Sequence, residues 1–176
     1  ILHRDLKPSN ILVDEQAEPQ VADFGLAKSL DQESGFTFTA SVLGSPNYMA
    51  PEQASGKARS ITTAVDVYGL GAILYHFLAG RPPFQAETLL ETLRAVTDRD
   101  PVPPSTLKSG VDVDLETICL KCLRKVPTER YGSAEALAQD LERWLANEPI
   151  LARPLGPAAR AWRWCRRRPA LAGAFA

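Results

Sequence analysis

The chain has 176 residues, 45% of them hydrophobic, which is enough for one core. Its formal charge of -1 hides an asymmetry: all 21 acids precede residue 153, while six of the 20 bases follow Ala152, leaving fourteen bases against twenty-one acids in the body. An acidic body excludes a nucleic-acid binder as the first expectation, and three cysteines without framework spacing fit a reducing compartment better than a secreted disulfide scaffold.

The chain opens with Ile1-Leu-His-Arg-Asp-Leu-Lys-Pro-Ser-Asn10, where Asp5, Lys7 and Asn10 put an acid, a cation and an amide on one short loop. Packing does not require that grouping, whereas phosphoryl transfer uses it. Ile11-Leu12-Val13 and Gln20-Val21-Ala22 are β-prone runs separated by polar residues, predicting a small hairpin. The hairpin would carry Asn10 to the side of Asp23, in Asp23-Phe24-Gly25, thirteen residues further on. From Leu26 to Met49 the chain is rich in Ser, Thr and Gly and lacks periodicity, a connection too long to be idle.

Ala50-Pro51-Glu52 predicts a short helical turn with proline at its first position. Ile61 to Ala79 has almost no polar face and is expected to be a helix buried nearly all round, ended by Gly80 and Pro82-Pro83. Asp66 and His76 interrupt it, which argues against a membrane span. Ala86 to Thr97 follows with Leu89, Leu90, Leu93 and Val96 inward; 100–110 reads as a proline-rich loop. Asp112 to Arg124 is a third helix. A fourth, capped by Ser133, runs to about Asn147 with Leu137, Leu141, Trp144 and Leu145 on one face. Cys119 and Cys122 have a metal or redox spacing, but no second ligand pair exists, so they read as one apolar helical face.

After Asn147 the composition changes. Residues 148–168 read as a proline- and arginine-rich linker with Trp162, Trp164 and Arg166-Arg167-Arg168, and 169–176 are apolar. That order predicts a juxtamembrane segment leading into a transmembrane helix, with the body on the cytoplasmic side of a single-pass membrane protein.

The Asp5…Asn10…Asp23-Phe24-Gly25 spacing resembles the protein-kinase family, specifically bacterial receptor-like serine/threonine kinases, over about residues 1–147. The resemblance implies a mainly α C-terminal lobe with a small β-hairpin, taken from an α+β parent fold. No glycine-rich loop or strand lysine stands upstream, so the N-terminal lobe is read as absent and residues 1–176 alone are expected not to turn over.

It further implies ATP and Mg2+ as cofactors and protein Ser/Thr hydroxyls as substrates. Asp5 would be the catalytic base; Lys7, near the transferring phosphate, would serve catalysis and ATP binding and favour Ser/Thr over Tyr; Asn10 and Asp23 would hold magnesium. Arg4 would meet phosphates on Thr37 and Thr39, and Ser45 would stand at the substrate-docking end of the loop. His3, Phe24, Gly25, Glu52, Asp66 and Arg130 would be architecture, with Glu52 paired to Arg130 and Asp66 holding the catalytic loop from below. The competing reading is a non-catalytic pseudokinase or interaction module, whose usual sign, a missing Asp5, Asn10 or Asp23 equivalent, does not occur.

Overall fold

The computed structural model describes residues 2–24, 46–56 and 61–152. Two short strands, β1 (Ile11–Val13) and β2 (Pro19–Val21), pair antiparallel with Ile11 opposite Val21 and Leu12 opposite Gln20. The Asp14 carboxylate makes the turn by accepting the Gln16 and Glu18 N–H groups at 3.0 and 2.8 Å. The second strand begins one residue before the expected Gln20, at Pro19, which can close a two-stranded edge because nothing needs its missing N–H.

Six α-helices follow among the described residues: α1 (Pro51–Ala54), α2 (Ala64–Ala79), α3 (Leu89–Asp98), α4 (Pro104–Leu107), α5 (Val113–Cys122) and α6 (Ala134–Leu145). Single 3-10 turns cover Pro8–Asn10, Pro46–Tyr48 and Pro127–Glu129, each opened by a proline. The fold is therefore mainly helical with one small antiparallel sheet, the class expected from the sequence. The caps are local chemistry. Thr88 and Glu91 form a reciprocal capping box on α3, Asp112 accepts two N–H groups of α5, and Ser133 accepts the Ala136 N–H of α6.

Helix α2 is the axis of the body. Its Val65, Tyr68, Ala72 and Tyr75 join Ala50, Cys119 and Leu123 in one apolar cluster, while Val67 joins Ile118, Cys122, Tyr131, Leu137 and Ile150 in a second. Two glycines let neighbours come close: a methyl group on Gly69 would stand 2.8 Å from the Leu6 Cβ, and one on Gly71 would collide with the Cys122 Cβ. The Cys119–Cys122 pair is thus core. Burial pushes both thiols up, that of Cys122 to about 12, as expected of small apolar side chains packed in a core.

Several expectations fail at the edges of these elements. Helix α2 starts at Ala64 rather than Ile61, and it is not buried all round: Phe77, in its last turn, is 73% exposed. In α3, Leu89 and Leu90 lie in the exposed first turn and the buried positions belong to Thr92 and Val96. Thr92 fits there because its hydroxyl donates to the Thr88 carbonyl and accepts the Ala86 N–H. Leu145 is likewise exposed at the end of α6. The proline-rich loop 100–110 contains α4, whose Pro104 supplies a ready first turn.

The packed body also runs past the boundary expected at 147. Asn147 turns the chain in a left-handed conformation (φ 55°), and Ile150 returns to the core at 2% exposure. No helix among the described residues is long and apolar enough to cross a membrane. The arginine-rich stretch from Arg153 and the apolar run 169–176 lie outside the described residues.

A buried ion pair ties α1 to the turn before α6. Arg130 donates Nη1–H and Nη2–H to the two Glu52 carboxylate oxygens at 2.7 and 2.8 Å, and its other N–H groups reach the carbonyls of Ala64, Arg124 and Lys125. All five guanidinium donors are satisfied, a set no lysine reproduces. Arg130→Met is expected to destabilise the protein by about 3–5 kcal/mol in denaturant unfolding, because Glu52 is left charged and buried, whereas the double variant with Glu52→Leu recovers most of that loss.

Candidate active site

The loop from His3 to Asn10 is held from three sides. From below, Asp66 of α2 accepts the backbone N–H of His3 at 2.9 Å and of Arg4 at 2.8 Å, one on each carboxylate oxygen. From the side, Gln53 of α1 donates to the Arg4 carbonyl at 2.8 Å. Arg4 needs both, since its backbone sits at φ 69°, a left-handed conformation that costs a non-glycine residue on the order of 1–3 kcal/mol. Leu6, buried against Gly69, completes the seat.

His3 joins the loop to the end of β2. Its ring Nε2 lies 2.8 Å from the Ala22 carbonyl and its Nδ1 accepts the Asp5 N–H at 3.2 Å. Both bonds form together only in the neutral tautomer with the proton on Nε2. The Phe24 ring stands 5.0 Å from the His3 ring, half in solvent. Histidine here is a brace between two turns.

The chemistry-bearing groups converge on Asp5. Lys7 Nζ donates to its Oδ2 at 3.0 Å, and Asn10 Nδ2 donates to its backbone carbonyl at 2.9 Å, with Oδ2 at 3.5 Å. Asn10 is buried at the end of its 3-10 turn, and its own carbonyl accepts the Ala22 N–H at 2.8 Å, which brings the chain to Asp23. Asp23 is exposed in a left-handed conformation (φ 58°) that Asp tolerates better than most residues. With its amide N–H groups committed to Asp5, Asn10 has Oδ1, which accepts only a long contact from the Ser9 hydroxyl at 3.5 Å, as an oxygen ligand.

No cluster of three or more His, Cys, Asp or Glu suited to a metal occurs among the described residues. An amide oxygen and one carboxylate fit magnesium, which takes few protein ligands and completes its shell with phosphate and water oxygens. They do not fit zinc.

Of the other residues singled out from the sequence, Glu52 and Arg130 form the buried pair described above. The Arg4 guanidinium meets no acidic partner within ion-pair distance among the described residues. Gly25, Thr37, Thr39 and Ser45 lie outside them. Two contacts were not anticipated: Gln53 on the Arg4 carbonyl, and the Tyr48 hydroxyl 2.7 Å from His76 Nδ1, which ties the Pro46–Tyr48 turn to α2. A glutamine beside a Pro-Glu helix start carries no pattern of its own, so the first was not readable.

Residues 1–141 match the family model described as protein kinase domain. The chain belongs to the protein kinase domain family. It is 39% identical over 149 residues to the serine/threonine-protein kinase PknB of Mycobacterium leprae, covering 85% of this chain and 24% of that protein. It is similarly 40% identical over 144 residues to PknB of Mycolicibacterium smegmatis (81% and 23%), and 37% identical over 147 residues to a probable serine/threonine-protein kinase of Corynebacterium efficiens (81% and 22%). The chain thus spans about a quarter of the length of these kinases.

In this kinase lobe Asp66 is the anchor, and removing it strands two backbone N–H groups. Asp66→Ala is expected to lower stability by about 1–3 kcal/mol for each of its two stranded donors, and Gln53→Ala by less, because it strands one donor, the Ala50 N–H, and otherwise frees only the Arg4 carbonyl. Denaturant unfolding of the two variants side by side checks the order.

Proposed function

We propose that this chain carries the catalytic-loop lobe of a serine/threonine protein kinase of the bacterial receptor-like kind, passing the γ-phosphate of ATP to Ser or Thr hydroxyls of protein substrates. The observation that carries the reading is the hydrogen-bonded set Asp5, Lys7 and Asn10 on one loop, anchored by Asp66 and tied through Asn10 to the turn at Asp23. The presence of Asp5, Asn10 and Asp23 together argues against a non-catalytic module.

Asp5 accepts the proton of the substrate hydroxyl and orients its oxygen toward the phosphate. Lys7, already within 3.0 Å of Asp5, supplies positive charge where negative charge develops in transfer. Asn10 Oδ1 and the Asp23 carboxylate would hold magnesium, which would supply charge neutralisation for the nucleotide phosphates. His3 and Asp66 touch none of these reactants; they keep the loop in the shape that presents them. Ser45 belongs to the docking of the acceptor segment, and Gly25 to the turn after Asp23. The apolar Leu12, Val13 and Val21, exposed on the hairpin, fit a surface covered by a nucleotide-binding lobe. A cytoplasmic body attached to a membrane through the segment after Ala152 rests on the order of Trp, Arg and apolar residues there.

In full-length protein, Asp5→Asn is expected to lower radiolabel transfer by about 10²–10⁴-fold with nucleotide binding retained. Lys7→Met should lower kcat more than it raises the KM for ATP, since its charge acts on the transition state. Equal activity of the Asp5→Asn variant would end the kinase assignment.

Arg4 is the phosphate receiver in this reading, for Thr37 and Thr39 modified in the active enzyme. Phosphopeptide mapping of active full-length protein is expected to find phosphate on one or both; a fully active enzyme unmodified between residues 26 and 49 would refute it.

A further inference from the structure

Residues 148–152, which composition alone reads as the start of a linker, are fastened to the kinase body by one buried carboxylate. Asp140 of α6 is completely buried and receives three donors: the Tyr131 hydroxyl at 2.7 Å, the Leu151 N–H, and the Ala152 N–H at 2.8 Å. The turn that delivers them is built for the purpose. Asn147 reverses the chain at φ 55°, the Glu148 N–H bonds the Arg143 carbonyl, and Ile150 enters the cluster of Val67, Ile118, Cys122, Tyr131 and Leu137. A buried carboxylate facing only donors holds two consecutive backbone amides far more firmly than apolar contact alone would.

The place where this strap docks matters. Val67 adjoins Asp66 on α2, and Cys122 is the residue against which Gly71 of α2 packs. The same helix therefore carries the strap's apolar seat and, one residue away, the carboxylate that holds the His3 and Arg4 amides. Close packing at Gly69 and Gly71 leaves α2 little room to shift without moving the loop.

We propose that Asp140 is a positioning residue: by latching residues 148–152 under α2 it keeps Asp66 in register with the catalytic loop, so that whatever pulls on the chain beyond Ala152 acts on the loop through this helix. The latch is a matter of hydrogen bonds and packing and does not depend on the kinase assignment, so its test is read without any phosphoryl transfer.

Amide hydrogen exchange of full-length wild type and Asp140→Asn, followed by mass spectrometry, decides the matter. In the wild type, residues 148–152 should be protected; in the variant their exchange should rise by roughly tenfold or more, with a smaller rise over residues 2–6, while the α3 peptide stays unchanged. Unprotected wild-type strap residues would overturn the latch. A released strap with an unchanged loop would overturn the coupling, and so would a rise in α3 equal to that in the loop, since that is general loosening. If Asp140→Asn fails to fold, Leu151→Pro, which removes one donated N–H at a residue whose side chain is 60% exposed, is judged by the same three readings.

Discussion

Everything placed in the site depends on one carboxylate meeting two backbone amides. Asp66 projects from a buried helix and receives the His3 and Arg4 N–H groups, one per oxygen. Without that pairing, Arg4 has no reason to remain in a left-handed conformation, and the residue after it, Asp5, loses its direction. The interaction is an inversion of a helix cap: a side chain from a rigid element satisfies the donors of an irregular one. Loops that do chemistry are stiffened in this way because their own backbone cannot supply the bonds.

The helix must itself be immobile for this to work, and its surroundings explain why it is. Gly69 admits Leu6 on one side and Gly71 admits Cys122 on the other, so α2 is gripped between the His3–Asn10 loop and α5 at distances that no larger residue permits. Arg130 then binds the Ala64 carbonyl at the start of α2 while pairing with Glu52, which links the helix to α1 and to Gln53. Through Gln53 the grip returns to the Arg4 carbonyl. Stability and site geometry here are the same set of contacts.

Short-range pattern was more legible in the sequence than the packing. Asp5, Asn10 and Asp23 stand out there by their order and spacing, and Ser133 because a cap is decided within four residues; Thr88 and Asp112, caps of the same kind, appear only in the structure. Leu89, Leu90, Phe77 and Leu145 were misplaced for a common reason: hydrophobicity says that a side chain prefers the core, not that the core has room, and Thr92 took a buried place by satisfying its own hydroxyl. The strap at 148–152 was hidden because Pro149 and the prolines and small residues that follow Ala152 imitate a linker, and its fastening to Asp140 is a tertiary contact that no local pattern records. Gln53 was hidden for the same reason.

The Glu52–Arg130 pair spans 78 positions along the chain, and the His3–Asp66 contact spans 63. Contacts of such long range form late, after nearer ones have offset the entropy of closing the loop. During synthesis Glu52 leaves the ribosome well before its guanidinium partner exists, and the His3–Asn10 loop precedes its anchor in the same way. The nascent chain therefore carries the His3–Asn10 loop without its anchor until Asp66 has been made, and a Glu52 carboxylate without its counter-ion until Arg130 has, so its exposed carboxylate and amides must stay solvated in that interval.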